Sequence, residues 1–293
     1  MFSIIMTAFR EPHTVGKAIE ALLPQLPENG ELLVVCPDAE TTAVIQNYAR
    51  VDGRITHLSD PQQGKPTALN IGLNAASHDI VVLTDGDIVV GKQALKPLLT
   101  PFSDEKVGAV TGQPISISPR HTMLGYWSHL LVNGAHQERQ RRQMANQFLL
   151  CSGYLFAYRR ALVPQVPPDA LAEDAVISHK IAQQGFAIRY APAAIVRVKY
   201  PTTYADWLRQ KVRSAGGYAQ DVIRKSPFRM RSAKLEMVHG SKLAFRFAQT
   251  WRERLWTLAL FGARLHLWWL IFWRVRVWKR PLATLWQRVE TTK

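Results

Sequence analysis

The chain has little cysteine. Cys36 and Cys151 are the only two in 293 residues, too few and too far apart for a disulfide framework or a metal cluster, so a reduced, cytosolic setting is expected. There is no internal repeat and no low-complexity segment. Met1 leads directly into a strand pattern, without a basic stretch, an apolar run and a small-residue cleavage site, so no secretory signal is expected. A long apolar run free of charge is also missing. The nearest approach, residues 255–273, is broken by Arg264 and His266, which excludes a substantial polytopic membrane domain.

Acidic residues are scarce in one region only. Residues 224–293 hold 16 Lys and Arg against Glu236, Glu253 and Glu290, an excess of 13 out of the whole-chain net charge of +15. Seven of the nine Trp residues fall there too: Trp251, Trp256, Trp268, Trp269, Trp273, Trp278 and Trp286. The sequence thus divides into a nearly neutral body, 1–223, and a basic, Trp-rich tail, 224–293. With 47% hydrophobic residues, the 293-residue chain can hold one large packed α/β domain plus an appendage.

Strand-like runs occur at 2–7, 32–35, 55–58, 80–84 and 107–111, with helix-like patterns at 14–23, 41–49, 67–76 and 92–99 between them. Such alternation predicts a mostly parallel, Rossmann-like sheet covered by helices on both faces, with ligands at the carboxyl ends of the strands. A longer helix over 123–143, a Gly-rich strand around 152–160 and a helix over 174–184 follow.

The run Ile80-Val81-Val82-Leu83-Thr84-Asp85-Gly86-Asp87 delivers two carboxylates to a tight turn. Hard oxygen ligands so placed suit Mg2+ or Mn2+, which bind through one or two carboxylates and complete their shell with water and substrate phosphate. An isolated Asp-Gly turn would more simply carry solvated acids. Here other motifs accompany it: Gly64-Lys65-Pro66-Thr67-Ala68-Leu69-Asn70-Ile71-Gly72 before, then Ala172-Glu173-Asp174 and Gln210-Lys211-Val212-Arg213 after.

These four motifs in this order resemble the family-2 glycosyltransferases of the GT-A fold, over roughly residues 1–220. The resemblance implies a nucleotide-sugar-binding half, 1–113, and an acceptor half, 114–223. It implies metal coordination by Asp87, with Asp85 beside it against the metal, sugar or ribose. Lys65 would bind phosphate or the uracil edge. Asp38 lies where relatives place an acid against the nucleobase, but the usual Asp-Gly-Ser pattern is absent, and an acid serving the following helix dipole fits equally. Asn70 is expected to be structural. Asp174 would be the general base of an inverting transfer, taking the proton of the acceptor hydroxyl, with Glu173 orienting it or the acceptor. The same acidic pair could simply stabilise a helix N-terminus. His179 is expected on the helix surface and not as a metal ligand.

Gln210 and Arg213, three apart, would share one helix face. They resemble the Gln-x-x-Arg-Trp segment of processive synthases, where Arg meets the diphosphate. Ser214 replaces the Trp, which weakens the case for processive synthesis. In the tail, Arg264 at the centre of 255–273 disfavours a span, while intermixed Trp and Arg suit the headgroup boundary. The tail is therefore expected to be a helical, membrane-interfacial element on anionic lipid, against a true span or a soluble packing surface as alternatives.

Two other classes of function are open to such a sequence. A basic, Trp-bearing chain could bind nucleic acid, but the metal turn and its companions would then have no use. A catalytically silent sugar-nucleotide-binding protein on the same fold is opposed by the presence of Asp87, Asp174, Gln210 and Arg213 together. The resulting expectation is a metal-dependent inverting glycosyltransferase using a uridine-linked donor. Its acceptor would be a lipid-linked glycan or polysaccharide, met by a peripheral or monotopic protein at the cytoplasmic face of the cell membrane.

Overall fold

A computed structural model describes residues 1–218, 220–230, 233–273 and 292, with backbone alone for 233–239 and at Ala215. Trp278, Trp286, Arg274, Arg276, Lys279 and Arg280, all counted in the tail reading, lie outside the described residues.

The first half is a parallel α/β unit. Strands β1 (Ser3–Thr7), β2 (Glu31–Val35), β3 (Ile55–Leu58) and β4 (Ile80–Asp85) alternate with helices α1 (Val15–Leu22), α2 (Ala39–Val51) and α3 (Lys65–Ala75). Pairings β1–β2, β2–β3 and β1–β4 are all parallel. β1 shows why both faces are covered. Ile4 and Met6 pack with Ala18, Ile19 and Leu22 of α1, whereas Ile5 packs on the opposite face with Leu69 and Leu73 of α3.

The second half departs from the expected parallel pattern. β5 (Val89–Val90), α4 (Leu95–Leu99), β6 (Val107–Ser116), α5 (Met123–Met144), β7 (Leu155–Arg159), α6 (Glu173–Gln183) and β8 (Ala187–Val198) complete a mixed sheet of order β3-β2-β1-β4-β7-β6-β8-β5. β7 enters antiparallel between β4 and β6, and β5 is antiparallel to β8. β8 gives no clean strand signal in sequence because Pro192 interrupts it, and its pairing with β6 shifts register between Thr111 and Gln113.

Three more helices, α7 (Tyr204–Gly217), α8 (Asp221–Arg224) and α9 (Ala233–Phe247), lead to α10 (Trp251–Ile271). The charge boundary at residue 224 is not a packing boundary. Leu260 and Ala263 of α10 share an apolar cluster with Tyr126 and Trp127 of α5 and Trp207 of α7. The Trp127 indole donates to the Trp256 carbonyl at 2.6 Å, and the Tyr126 and Thr257 hydroxyls meet at 2.7 Å. Among the described residues, no helix is long and apolar enough to cross a membrane.

Candidate active site

The carboxyl ends of β1 and β4 lie side by side, with Thr7 in register with Asp85. The Gly86 N–H donates to the Thr7 carbonyl at 2.9 Å, which hangs the Asp85-Gly86-Asp87 turn on the end of β1. Gly86 is required by close approach: a Cβ there would stand 2.6 Å from Glu11 Oε2 and 2.8 Å from Ala8 Cβ. The sequence patterns do not single out Glu11, a buried acid in the loop after β1.

Asp85 accepts from the Thr7 hydroxyl at 2.9 Å and from Lys65 Nζ at 2.7 Å, both through Oδ1. Lys65 starts α3 directly after Gly64, whose φ of 99° is one that side-chain-bearing residues rarely adopt. The same ammonium lies 2.8 Å from Glu173 Oε1 at the start of α6. Lys65 therefore ties the Asp85-Gly86-Asp87 turn to the start of α6. Burial alone would drive its pKa down, but the two carboxylates outweigh burial and hold it above its usual value, so it stays an ammonium. The expected phosphate or uracil contact is thus an ion triad in this structure.

The Tyr154 phenol lies within the electrostatic fields of Asp87, Arg213 of α7 and Asp85. Burial pushes the Tyr154 hydroxyl up to about 12, while its hydrogen bond with Tyr200 and the charge of Arg213 pull the other way. Tyr154 and Tyr200 pack edge to face. These phenols are absent from the sequence-based assignments because only the fold brings Tyr154, before β7, against Tyr200, after β8. On α7, the buried Gln210 Oε1 has no hydrogen-bond partner among the described residues. Gln210 and Arg213 share this helix as expected.

Asp174 is fixed at the first turn of α6. Its Oδ2 accepts from the Gly153 N–H at 2.9 Å and its Oδ1 from the Ala175 N–H at 2.8 Å. It bonds the Gly-rich entry to β7 and also serves the helix N-terminus.

Three peripheral expectations resolve differently. Asp38 caps α2: Oδ1 accepts from the Thr41 N–H at 3.0 Å and Oδ2 from the Arg10 N–H at 2.6 Å. Burial opposes its ionisation, but those N–H groups prevail and lower its pKa. Asn70 is structural, though its partner is remote: it exchanges two 2.8 Å hydrogen bonds with the Val166 backbone. His179 is not a surface residue. It is buried, with Nδ1 2.8 Å from Ser226 Oγ and its ring against Phe148, and burial together with the Arg229 charge lowers its pKa to about 4. The segment after α8 folds back onto α6 and covers it, a long-range contact that helix periodicity does not encode.

The comparisons bear on the same residues. The profile of the family described as Glycosyltransferase like family 2 matches residues 1–217. The poly-beta-1,6-N-acetyl-D-glucosamine synthase of Staphylococcus aureus is 26% identical over 229 residues, covering 76% of this chain and 55% of that protein. The probable glycosyltransferase YdaM of Bacillus subtilis is 27% identical over 235 residues, covering 76% and 56%. The chain spans about half the length of these curated relatives. Among solved structures, the mannosyltransferase PcManGT from Pyrobaculum calidifontis, in complex with GDP-Man and Mn2+, matches with a TM-score of 0.64 at 20% identity, covering 97% of this chain and 84% of that one. The four motifs, the sheet that gathers them and the matched profile agree: the chain belongs to the glycosyltransferase-like family 2 and has the GT-A fold.

Proposed function

We propose that the chain is a metal-dependent, inverting glycosyltransferase that moves a sugar from a uridine diphosphate donor to a lipid-linked or polysaccharide acceptor at the cytoplasmic membrane face. The observation that carries this reading is the ion triad in which Lys65 joins Asp85, at the end of β4 beside β1, to Glu173 at the start of α6.

The donor set fits a divalent ion. Among the described residues no group of three or more His, Cys, Asp or Glu could hold a metal, so the turn offers its two carboxylates only. That suits Mg2+ or Mn2+ completed by phosphate oxygens and water. Asp87 and Asp85 Oδ2 would hold the ion, with Asp85 Oδ1 engaged by Thr7 and Lys65. When bound, the ion neutralises the departing diphosphate as a Lewis acid. The Mn2+ in the PcManGT complex supports this choice.

The rest of the reaction falls to the chain's own groups. Arg213 adds positive charge on the leaving-group side. Asp174, steadied by two backbone N–H groups, accepts the proton of the acceptor hydroxyl as that oxygen attacks the anomeric carbon from the face opposite the diphosphate. Gln210 Oε1 is an acceptor for a sugar hydroxyl. Asp38, already capping α2, borders the nucleobase with its carboxylate edge.

The membrane part of the reading rests on α10. Trp251, Leu255, Leu258, Leu265 and Trp269 follow one another by three, four or seven residues on its outward face, with Leu265 72% and Trp269 58% exposed. With the basic excess of residues 224–293, this face suits a headgroup boundary of anionic lipid. The glucosamine polymer named for the staphylococcal relative supports a glycan acceptor.

The test is the anomeric configuration of the product. Proton NMR of sugar transferred from an α-linked uridine diphosphate donor with Mn2+ should show the β anomer. An α product would make the transfer retaining and remove Asp174 from the role of base.

A further inference from the structure

Arg139, on α5, is a charged group for which the reaction above has no use. Its side chain is buried, with the residue only 8% exposed. Among the described residues no carboxylate lies within ion-pairing distance of it, and its one hydrogen bond is a long 3.4 Å contact from Nε to the Leu150 carbonyl. A guanidinium so placed is costly unless an anion answers it.

The loop that Arg139 touches is the one that aims the candidate base. Its backbone groups are engaged one after another. The Leu150 carbonyl accepts from Arg139, the Cys151 N–H donates to Ser178 Oγ at 2.9 Å, and the Ser152 N–H to Thr111 Oγ1 at 2.8 Å. The Gly153 N–H then donates to Asp174 Oδ2, and Ser178 Oγ donates to the Asp174 carbonyl at 2.6 Å. Four residues thus separate a buried cation from the carboxylate at the other end of the clamp.

The groups within the guanidinium's field include Tyr190 on β8, Tyr200 after it, whose phenol burial holds well above its usual pKa, Cys151 in the loop, Tyr218 after α7, and Asp174. Burial pushes both Cys151 and Tyr190 up to about 12, so neither is an anion at neutral pH, and a tyrosine such as Tyr218 is ordinarily neutral there. His136, one turn earlier on α5, bonds the Tyr190 hydroxyl at 2.7 Å and is disfavoured as a cation by burial and by Arg139. Of these groups Asp174 is the carboxylate.

We propose that Arg139 is the positioning residue of the candidate base: its buried charge holds Asp174 as a carboxylate, and its bond to Leu150 holds the loop that aims Asp174 at the acceptor. This rests on the reading of Asp174 as base, yet the pairing can be measured without any activity. The experiment is a 13C carboxyl titration of aspartate-labelled full-length chain, with Asp174 assigned by comparison with Asp174→Asn. Removing a nearby positive charge disfavours the carboxylate, so Arg139→Gln should raise the Asp174 midpoint by about one to two pH units, with Asp38 unmoved. Arg139→Lys should return it most of the way. Arg139→Met serves as the second neutral variant should the glutamine disturb folding. An unmoved Asp174 midpoint in a folded neutral variant overturns the pairing and leaves Arg139 a packing residue. If the midpoint moves while the acid limb of kcat/KM for UDP release does not, the pairing stands and Asp174 is not the base.

Discussion

In the proposed reaction Asp87 and Asp174 serve different parts, so each can be removed without the other. Asp87→Asn keeps the side-chain shape but removes the charge. Calorimetry with uridine diphosphate and Mn2+ should show affinity weakened at least about tenfold, roughly 1.4 kcal/mol. Unchanged affinity would move the metal site elsewhere. Asp174→Asn should bind the same ligand as the wild type while transfer falls by about 10²–10⁴-fold. Loss of binding together with activity would instead make Asp174 a structural residue. Both aspartates are legible in sequence, because each follows a local pattern: a β-branched run into a Gly turn, and an acid pair opening a helix. Thr7, Tyr154, Tyr200 and Arg139 are not legible. No local pattern marks these four side chains, and their partners come from β4, from the two segments that flank β7 and β8, and from the loop before β7. His179 fails for the same reason, since the chain that covers it is 47 residues away.

At the scale of elements, the alternating first half was readable because each parallel strand is followed by a helix with its own periodicity. The antiparallel entry of β7 between β4 and β6 was not, since sheet order is decided by packing between distant segments. The attachment of α10 is another such case. Thr250 caps that helix, accepting from the Glu253 N–H at 3.2 Å, while Glu253 meets Arg120 Nε at 2.8 Å and accepts from the Gln249 N–H at 2.6 Å. The Arg120 guanidinium outweighs burial and lowers the Glu253 pKa from its usual 4.5. The stabilisation is therefore fully present above pH 4.5 and is lost as pH falls through the lower folded value. Glu253→Gln should cost about 1.5–3 kcal/mol and flatten that acid dependence, read by tryptophan fluorescence during unfolding. An unchanged acid transition would mean that Glu253 does not pin the helix.

Taken whole, the molecule joins a nearly neutral catalytic body to a basic, aromatic surface, and the sequence shows the charge but not the join. Because α10 shares its inner face with Tyr126, Trp127 and Trp207, truncation at residue 224 would strip part of the core, and point changes on the outer face are the cleaner probe. Leu258→Asp with Trp269→Asp should abolish flotation with anionic liposomes and leave uridine diphosphate binding intact, since both residues face outward. Salt alone should release the wild type only in part, because apolar burial is not screened. A wild type that fails to float but forms an oligomer lost in the double variant would make this face a protein interface.

The account stands most directly on one measurement: release of uridine diphosphate from a panel of UDP-sugars by the full-length chain, with and without Mn2+ and lipid extract. The prediction is metal-dependent release from at least one donor, stimulated by lipid extract and lost in Asp174→Asn. Tight, metal-dependent nucleotide binding with no release from any donor would contradict it and make the chain a sugar-nucleotide-binding protein on a glycosyltransferase fold.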